Sequence, residues 1–256
     1  MPYRLEGKNM YRKHLIALTA FCMAATSGAA IAQEDAAMAE ETKAYSLSAN
    51  VALTSDYMFR GLSQVDGEPT VQGGIDFGYD LDGPADIYLG IWGSGVDFTD
   101  ATEEFDIYGG LTGEIEGISW DAGFIWYLYP GADSALNYDF VEAAFSLGYD
   151  FGPYAVSAGL NYSPEYFGDS GDAFYWAGGV DVPLPEGFGL GVHVGYQSID
   201  KNANFGQPDY LDWSVTVSKE FEGLDFSLAY IDTDISEGAC GDVCDTKVVG
   251  TISKSF

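Results

Sequence analysis

The sequence predicts an all-β fold, a closed antiparallel transmembrane β-barrel of about twelve strands with short periplasmic turns and long extracellular loops. Three observations lead there. Apolar and polar residues alternate with period two through nearly every segment beyond residue 44. The connections alternate just as regularly between tight Gly/Pro turns and long polar loops, and aromatic residues, 15% of the chain, gather at the segment ends. A transmembrane helix needs about 20 apolar residues, which nothing beyond residue 33 approaches, whereas a tilted membrane strand needs only about 9 to 11.

Arg12, Lys13 and His14 precede an apolar run over residues 15–25, and Ala30-Ile31-Ala32 supplies a small-x-small cleavage site. Residues 1–32 therefore read as a cleaved signal peptide, and the aperiodic Ala/Glu-rich stretch 33–43 as a flexible leader to a barrel over 44–256. Cys22 follows Phe21, where a lipoprotein signal wants a small residue, so acylation is not expected there. Losing Arg4, Lys8, Arg12, Lys13 and Glu6 takes the chain from ten basic and 40 acidic residues to six and 39, a net charge of −33. That balance excludes a basic footprint for nucleic acid as a partner.

The strands follow in order. Tyr45, Leu47, Ala49, Val51 and Leu53 face one way against Ser46, Ser48, Asn50 and Thr54. In TVQGGIDFGYD (residues 70–80), Val71, Ile75, Phe77 and Tyr79 oppose Gln72, Asp76 and Asp80. The third strand, 86–93, carries Tyr88 and Trp92 on one face and Ile87, Leu89 and Ile91 on the other, which leaves its facing open. Strands at 105–115, 118–126, 141–149 and 154–162 set apolar faces against Asp106 and Glu114, Asp121, Glu142, and Asn161 respectively. Those at 174–182, 188–196, 211–221 and 224–230 oppose Asp181, His193, Asp212 with Glu220, and Asp225, and a last strand ends on Phe256.

The turns are DLDGP (80–84), Glu116-Gly117, DFGP (150–153), PLPEG (183–187) and Glu222-Gly223. Between them lie polar loops over 56–69, 94–104, 130–138, 163–172, 198–210 and 232–246. A soluble sandwich gives no reason for the two lengths to alternate. Closure in lipid does, and it places the apolar faces outward and the carboxylates in a wet lumen.

The runs LTSDYMFRGLSQVDGEPTVQGGIDFGYD (53–80), GIWGSGVDF (90–98), YLYPG (127–131), NYSPEYFGDSGDAFYWAGGVDVPLP (161–185), GVHVGYQ (191–197), DYLDWSVTVSKEF (209–221) and the closing SKSF resemble the TorF-type porin family of proteobacterial outer-membrane proteins. The resemblance spans nearly all of the chain beyond the signal and implies a barrel porin in the outer membrane of a Gram-negative bacterium. It implies no catalytic residues.

Asp76, Asp80, Asp106, Glu114, Asp121, Glu142, Asp181, Asp212, Glu220 and Asp225 are thus expected to line the pore with His193, concentrating cations and repelling anions. The competing reading leaves some of them as solvated rim charges, or as sites for divalent ions bridging lipopolysaccharide. Twelve strands imply a narrow bore, passing small solutes with cations favoured.

Arg60, the sole arginine beyond the signal, lies in the first long loop. Its simpler reading is a local pair with Asp56 or Asp66; the alternative folds it into the lumen as part of a constriction. Cys240 and Cys244 sit in the acidic loop EGACGDVCD, where an exported chain forms a short intraloop disulfide. No motif calls for a cofactor or a metal. His193 lacks the motif of a serine-histidine hydrolase, so an enzyme, like a structural or adhesive barrel, is the alternative to a channel. Expected partners are outer-membrane lipid, lipopolysaccharide, and the barrel-assembly machinery, which reads a terminal strand ending in a residue such as Phe256.

Overall fold

The computed structural model describes residues 44–256; the expected signal peptide and leader, 1–32 and 33–43, lie outside the described residues. The strands are β1 (Tyr45–Thr54), β2 (Met58–Phe59), β3 (Leu62–Ser63), β4 (Thr70–Asp80), β5 (Ala85–Phe98), β6 (Ala101–Ile115) and β7 (Ile118–Leu128). They continue with β8 (Phe140–Asp150), β9 (Ala155–Ser163), β10 (Ala173–Pro183), β11 (Phe188–Ile199), β12 (Tyr210–Phe221), β13 (Leu224–Thr233) and β14 (Lys247–Ser255). β1 and β4–β14 form one closed barrel of twelve strands, all neighbours antiparallel, with β1 pairing both β4 and β14. No helix of the described residues is long and apolar enough to cross a membrane, and in a closed barrel the strands meet one another's backbone hydrogen bonds without a free edge.

Period two becomes radial direction once the sheet closes. Leu47, Val71, Ile75, Phe77, Phe105, Phe145, Val194 and Leu228 are exposed on the outer face, and every barrel strand but β9 adds a large exposed apolar side chain to this belt. A chain in water would bury such a surface; hydrocarbon solvates it. Inward positions carry Gln72, Asp106, Asp121, Ser146, Asn161, Gln197, Ser214 and Thr251, all buried. The facing of β5 is now decided: Ile87, Leu89 and Ile91 are exposed and Trp92 is buried.

The expected loop over 94–104 is instead strand. β5 runs on to Phe98 and β6 begins at Ala101, with one register irregularity between Gly95 and Phe98. Ser94 and Val96 keep the inward parity of Trp92 and are buried, although the glycines and acidic residues around them read as loop.

Glu116-Gly117 and Glu222-Gly223 both take left-handed φ angles at consecutive residues, 53° and 83°, then 53° and 74°. Two positive φ values in a two-residue connection suit the right-handed twist of the strands they join. A third such pair, Arg60-Gly61, with φ 49° and 80°, joins β2 to β3. This small hairpin is not part of the barrel wall.

Candidate functional site

The β2–β3 hairpin folds from the first long loop into the barrel, with Arg60 at its tip. Arginine in the left-handed region costs about 1–2 kcal/mol, so the turn holds a strained residue where Asn or Gly would sit more easily. Gly61 has no substitute: a Cβ there would lie 2.5 Å from Thr233 Cγ2 and 2.8 Å from Asp212 Cβ. The tip thus seats directly on the β12–β13 wall.

From that position Arg60 reaches the opposite strands. Nη2 lies 2.6 Å from Glu142 Oε2, Nη1 donates to Gln197 Oε1 at 2.7 Å, and the guanidinium carbon stands 4.2 Å above the Tyr175 ring and 4.7 Å from the Phe59 ring. Asn161 Nδ2 donates to the same Glu142 oxygen at 3.0 Å. Three wall strands, β8, β10 and β11, therefore converge on one loop residue, and β9 holds Glu142 in place through Asn161. Arg60 and Glu142 are both buried, where a charge pair needs such added hydrogen bonds to offset lost hydration. Arg60 points into the barrel, and within the loop Asp56 Oδ1 accepts a 2.7 Å hydrogen bond from Ser63. Burial raises the Asp56 carboxyl above its ordinary range, opposed by that hydrogen bond and the Lys247 charge.

The flanks of the hairpin are packed as well. Met58 buries against Ala229, Ile231 and Val249, and Leu62 against Tyr210, Ile235 and Cys244. Tyr57 meets Trp92 edge-on at 5.5 Å, and Phe59 meets Tyr127 at 5.8 Å. Tyr57 and Tyr129 each donate a 2.8 Å hydrogen bond to Glu104, and burial followed by the Glu104 charge raises both phenols, which stay protonated donors. An aromatic core of Tyr57, Trp92, Tyr127, Tyr129, Phe140 and Tyr166 thus occupies the barrel interior at the long-loop end.

Farther along the interior, three tyrosines each lie over a glycine of a neighbouring strand and reach a carboxylate beyond it. Tyr108 covers Gly90 and donates to Asp76, all three in one register row. Tyr88 passes Gly110 and Gly123 to donate to Asp121 at 3.0 Å. Tyr175 crosses Gly195 to donate to Asp212 at 3.0 Å, and its hydroxyl also lies 2.9 Å from His193 Nε2. A side chain at any of these glycines would collide with the tyrosine, so each ring is pinned to the wall and its hydroxyl aimed.

The carboxylates expected to line the pore fall into two groups. Asp106, Asp121, Glu142 and Asp212 are buried, with Asp76 half-buried beneath Tyr108. Asp80, Glu114, Asp181, Glu220 and Asp225 stand toward the short-turn ends of their strands; Glu114, Asp181 and Glu220 are exposed there. His193 Nε2 lies 3.2 Å from Asp212 Oδ1 with the side chain 26% exposed. Glu104 escaped the sequence reading because it fell in an expected loop, yet it continues the parity of Asp106 and Tyr108 and is buried. Gln197 and Asn161 carried only the signal of inward parity.

Cys240 and Cys244 form a disulfide in the last long loop, and Cys244 packs on Leu62 of the hairpin. Among the described residues no group of three or more His, Cys, Asp or Glu side chains is arranged to hold a metal ion.

A family model described as "Bacterial protein of unknown function (Gcw_chp)" matches residues 38–256. The fold is shared with the COG4313 outer membrane channel from Pseudomonas putida F1, at a TM-score of 0.52 and 9% identity over 86% of this chain and 100% of that one. A KdgM porin gives 0.52 at 8% identity, covering 82% of this chain and 99% of its own. A NanC porin gives 0.51 at 8%, covering 81% and 98%. No curated protein sequence matches the chain.

Proposed function

The chain belongs to the Gcw_chp family of bacterial proteins of unknown function, and from that premise we propose an outer-membrane porin-like channel of the TorF type its sequence resembles. It conducts small solutes by passive diffusion through a narrow acidic lumen and prefers cations. The observation that carries this reading is the imbalance of buried charge: among the described residues, Glu104, Asp106, Asp121, Glu142 and Asp212 share the interior with one buried basic residue, Arg60. Carboxylates in a confined, poorly solvated passage attract cations and repel anions more strongly than they would in bulk water.

The apolar belt fits lipid, with lipopolysaccharide at the long-loop rim. The KdgM porin has been solved in complex with oligogalacturonate, a polyanion. The carboxylates here make such a permeant unfavourable in this barrel.

Planar-bilayer recording under a KCl gradient tests the proposal. Discrete steps whose reversal potential favours potassium support it, and anion preference overturns it. The seated hairpin favours a second reading, a structural barrel that stays closed, for which a demonstrably folded protein gives no current under any voltage.

A further inference from the structure

Asp106 is 1% exposed, and its Oδ1 has no hydrogen-bond partner among the described residues. The other buried acids nearby are provided for: Glu104 by Tyr57 and Tyr129, Glu142 by Arg60 and Asn161. A carboxyl oxygen buried dry and without a partner is costly, and calls for a group that meets it.

The register shows what surrounds it. Asp106 pairs with Trp92 on β5 and with Tyr127 on β7, so it stands between two inward aromatic side chains at the roughly 5 Å spacing of cross-strand neighbours. Tyr57 packs on Trp92 and Phe59 on Tyr127, which closes the hairpin over this row. A lone carboxylate walled by aromatic rings suits a cation that trades hydration for one ion pair and contacts with π faces. An inorganic metal ion wants a shell of oxygens, and no three acidic or histidine ligands converge among the described residues.

We propose that Asp106, between Trp92 and Tyr127 and beneath the β2–β3 hairpin, binds the alkylammonium group of a small organic cation. The proposal rests on the cation-channel reading above and names the permeant class that this interior recognises. The ammonium donates to the unpartnered Asp106 oxygen, its alkyl portion lies against the rings, and the hairpin must lift to admit it.

The test uses the refolded full-length barrel in detergent, titrated with n-propylammonium chloride against sodium chloride at constant ionic strength. Tryptophan fluorescence and the thermal midpoint are read together. Saturable quenching with a rise in midpoint is expected, weakened roughly ten- to hundredfold in Asp106→Asn, the worth of a hydrogen bond to a charged group. Trp92→Phe should weaken the thermal response, while Glu116→Gln, in an exposed turn at the short-turn end, should bind as the parent does. No saturable response in the parent, an unchanged Asp106→Asn, or an equal response to potassium chloride each overturns the site, and the parent titration decides even if the variants do not fold. Bilayer current from the same sample separates the two ideas. Ammonium binding without current keeps the site and sinks the channel; potassium-selective current without ammonium binding does the reverse.

Discussion

Arg60 and Glu142 lie 82 positions apart in the chain and meet at 2.6 Å inside the barrel, each nearly inaccessible to solvent. Removing one partner of such a pair leaves a dry, uncompensated charge. Arg60→Ala is expected to cost about 3–5 kcal/mol of barrel stability in urea unfolding. It should also raise single-channel open probability, because the hairpin loses its anchor. In a double-mutant cycle with Glu142→Gln the coupling should be about 1–3 kcal/mol. Additive effects would show that the two groups do not hold each other.

Gly61→Ala separates seating from charge. Arg60 is kept, but the new Cβ collides with Thr233 and Asp212 and adopts a strained φ. The hairpin should unseat, giving higher open probability and cleavage near residues 58–63 by a protease the parent resists. An unchanged conductance together with unchanged protection would mean that the hairpin tolerates the displacement.

Tyr175→Phe keeps the ring under Arg60 and over Gly195 while deleting the hydroxyl that serves Asp212 and His193. A loss of about 1–3 kcal/mol is expected, since a buried acceptor is left short of a donor. Gly195→Ala should cost more, because its Cβ would occupy the position of the Tyr175 hydroxyl. The reverse order in denaturant midpoints would contradict the pinning of that ring.

The Cys240–Cys244 disulfide sits in a loop whose Cys244 packs on Leu62. Reduction, or Cys240→Ser with Cys244→Ser, is expected to leave the barrel midpoint nearly unchanged. The hairpin should still loosen, raising open probability by less than Gly61→Ala does. Current records before and after a reductant check this, with the double serine variant as the insensitive control.

The sequence by itself determined the barrel: its twelve strands, the outward faces of nearly all of them and the turn ends. Those features are local. A strand in a closed sheet between lipid and lumen must alternate residue by residue, and a two-residue turn must carry its Gly within the turn. Even Glu104 was legible in principle, as one more step of the parity that runs through Asp106 and Tyr108; the acidic, Gly-rich stretch around it masked the strand.

Only the tertiary structure decided what fills the barrel. Arg60-Gly61 has the same local form as Glu116-Gly117 and Glu222-Gly223, two ordinary turns at the opposite end. Nothing within the loop says that its tip meets Glu142 and Gln197, 82 and 137 residues away. Those contacts exist because closure brings β8 to β11 around an enclosed space in which the hairpin places a buried arginine among many carboxylates. Which acids become buried and which remain at the rim follows from the same closure, through depth along the barrel axis, a coordinate that alternation along a single strand does not contain.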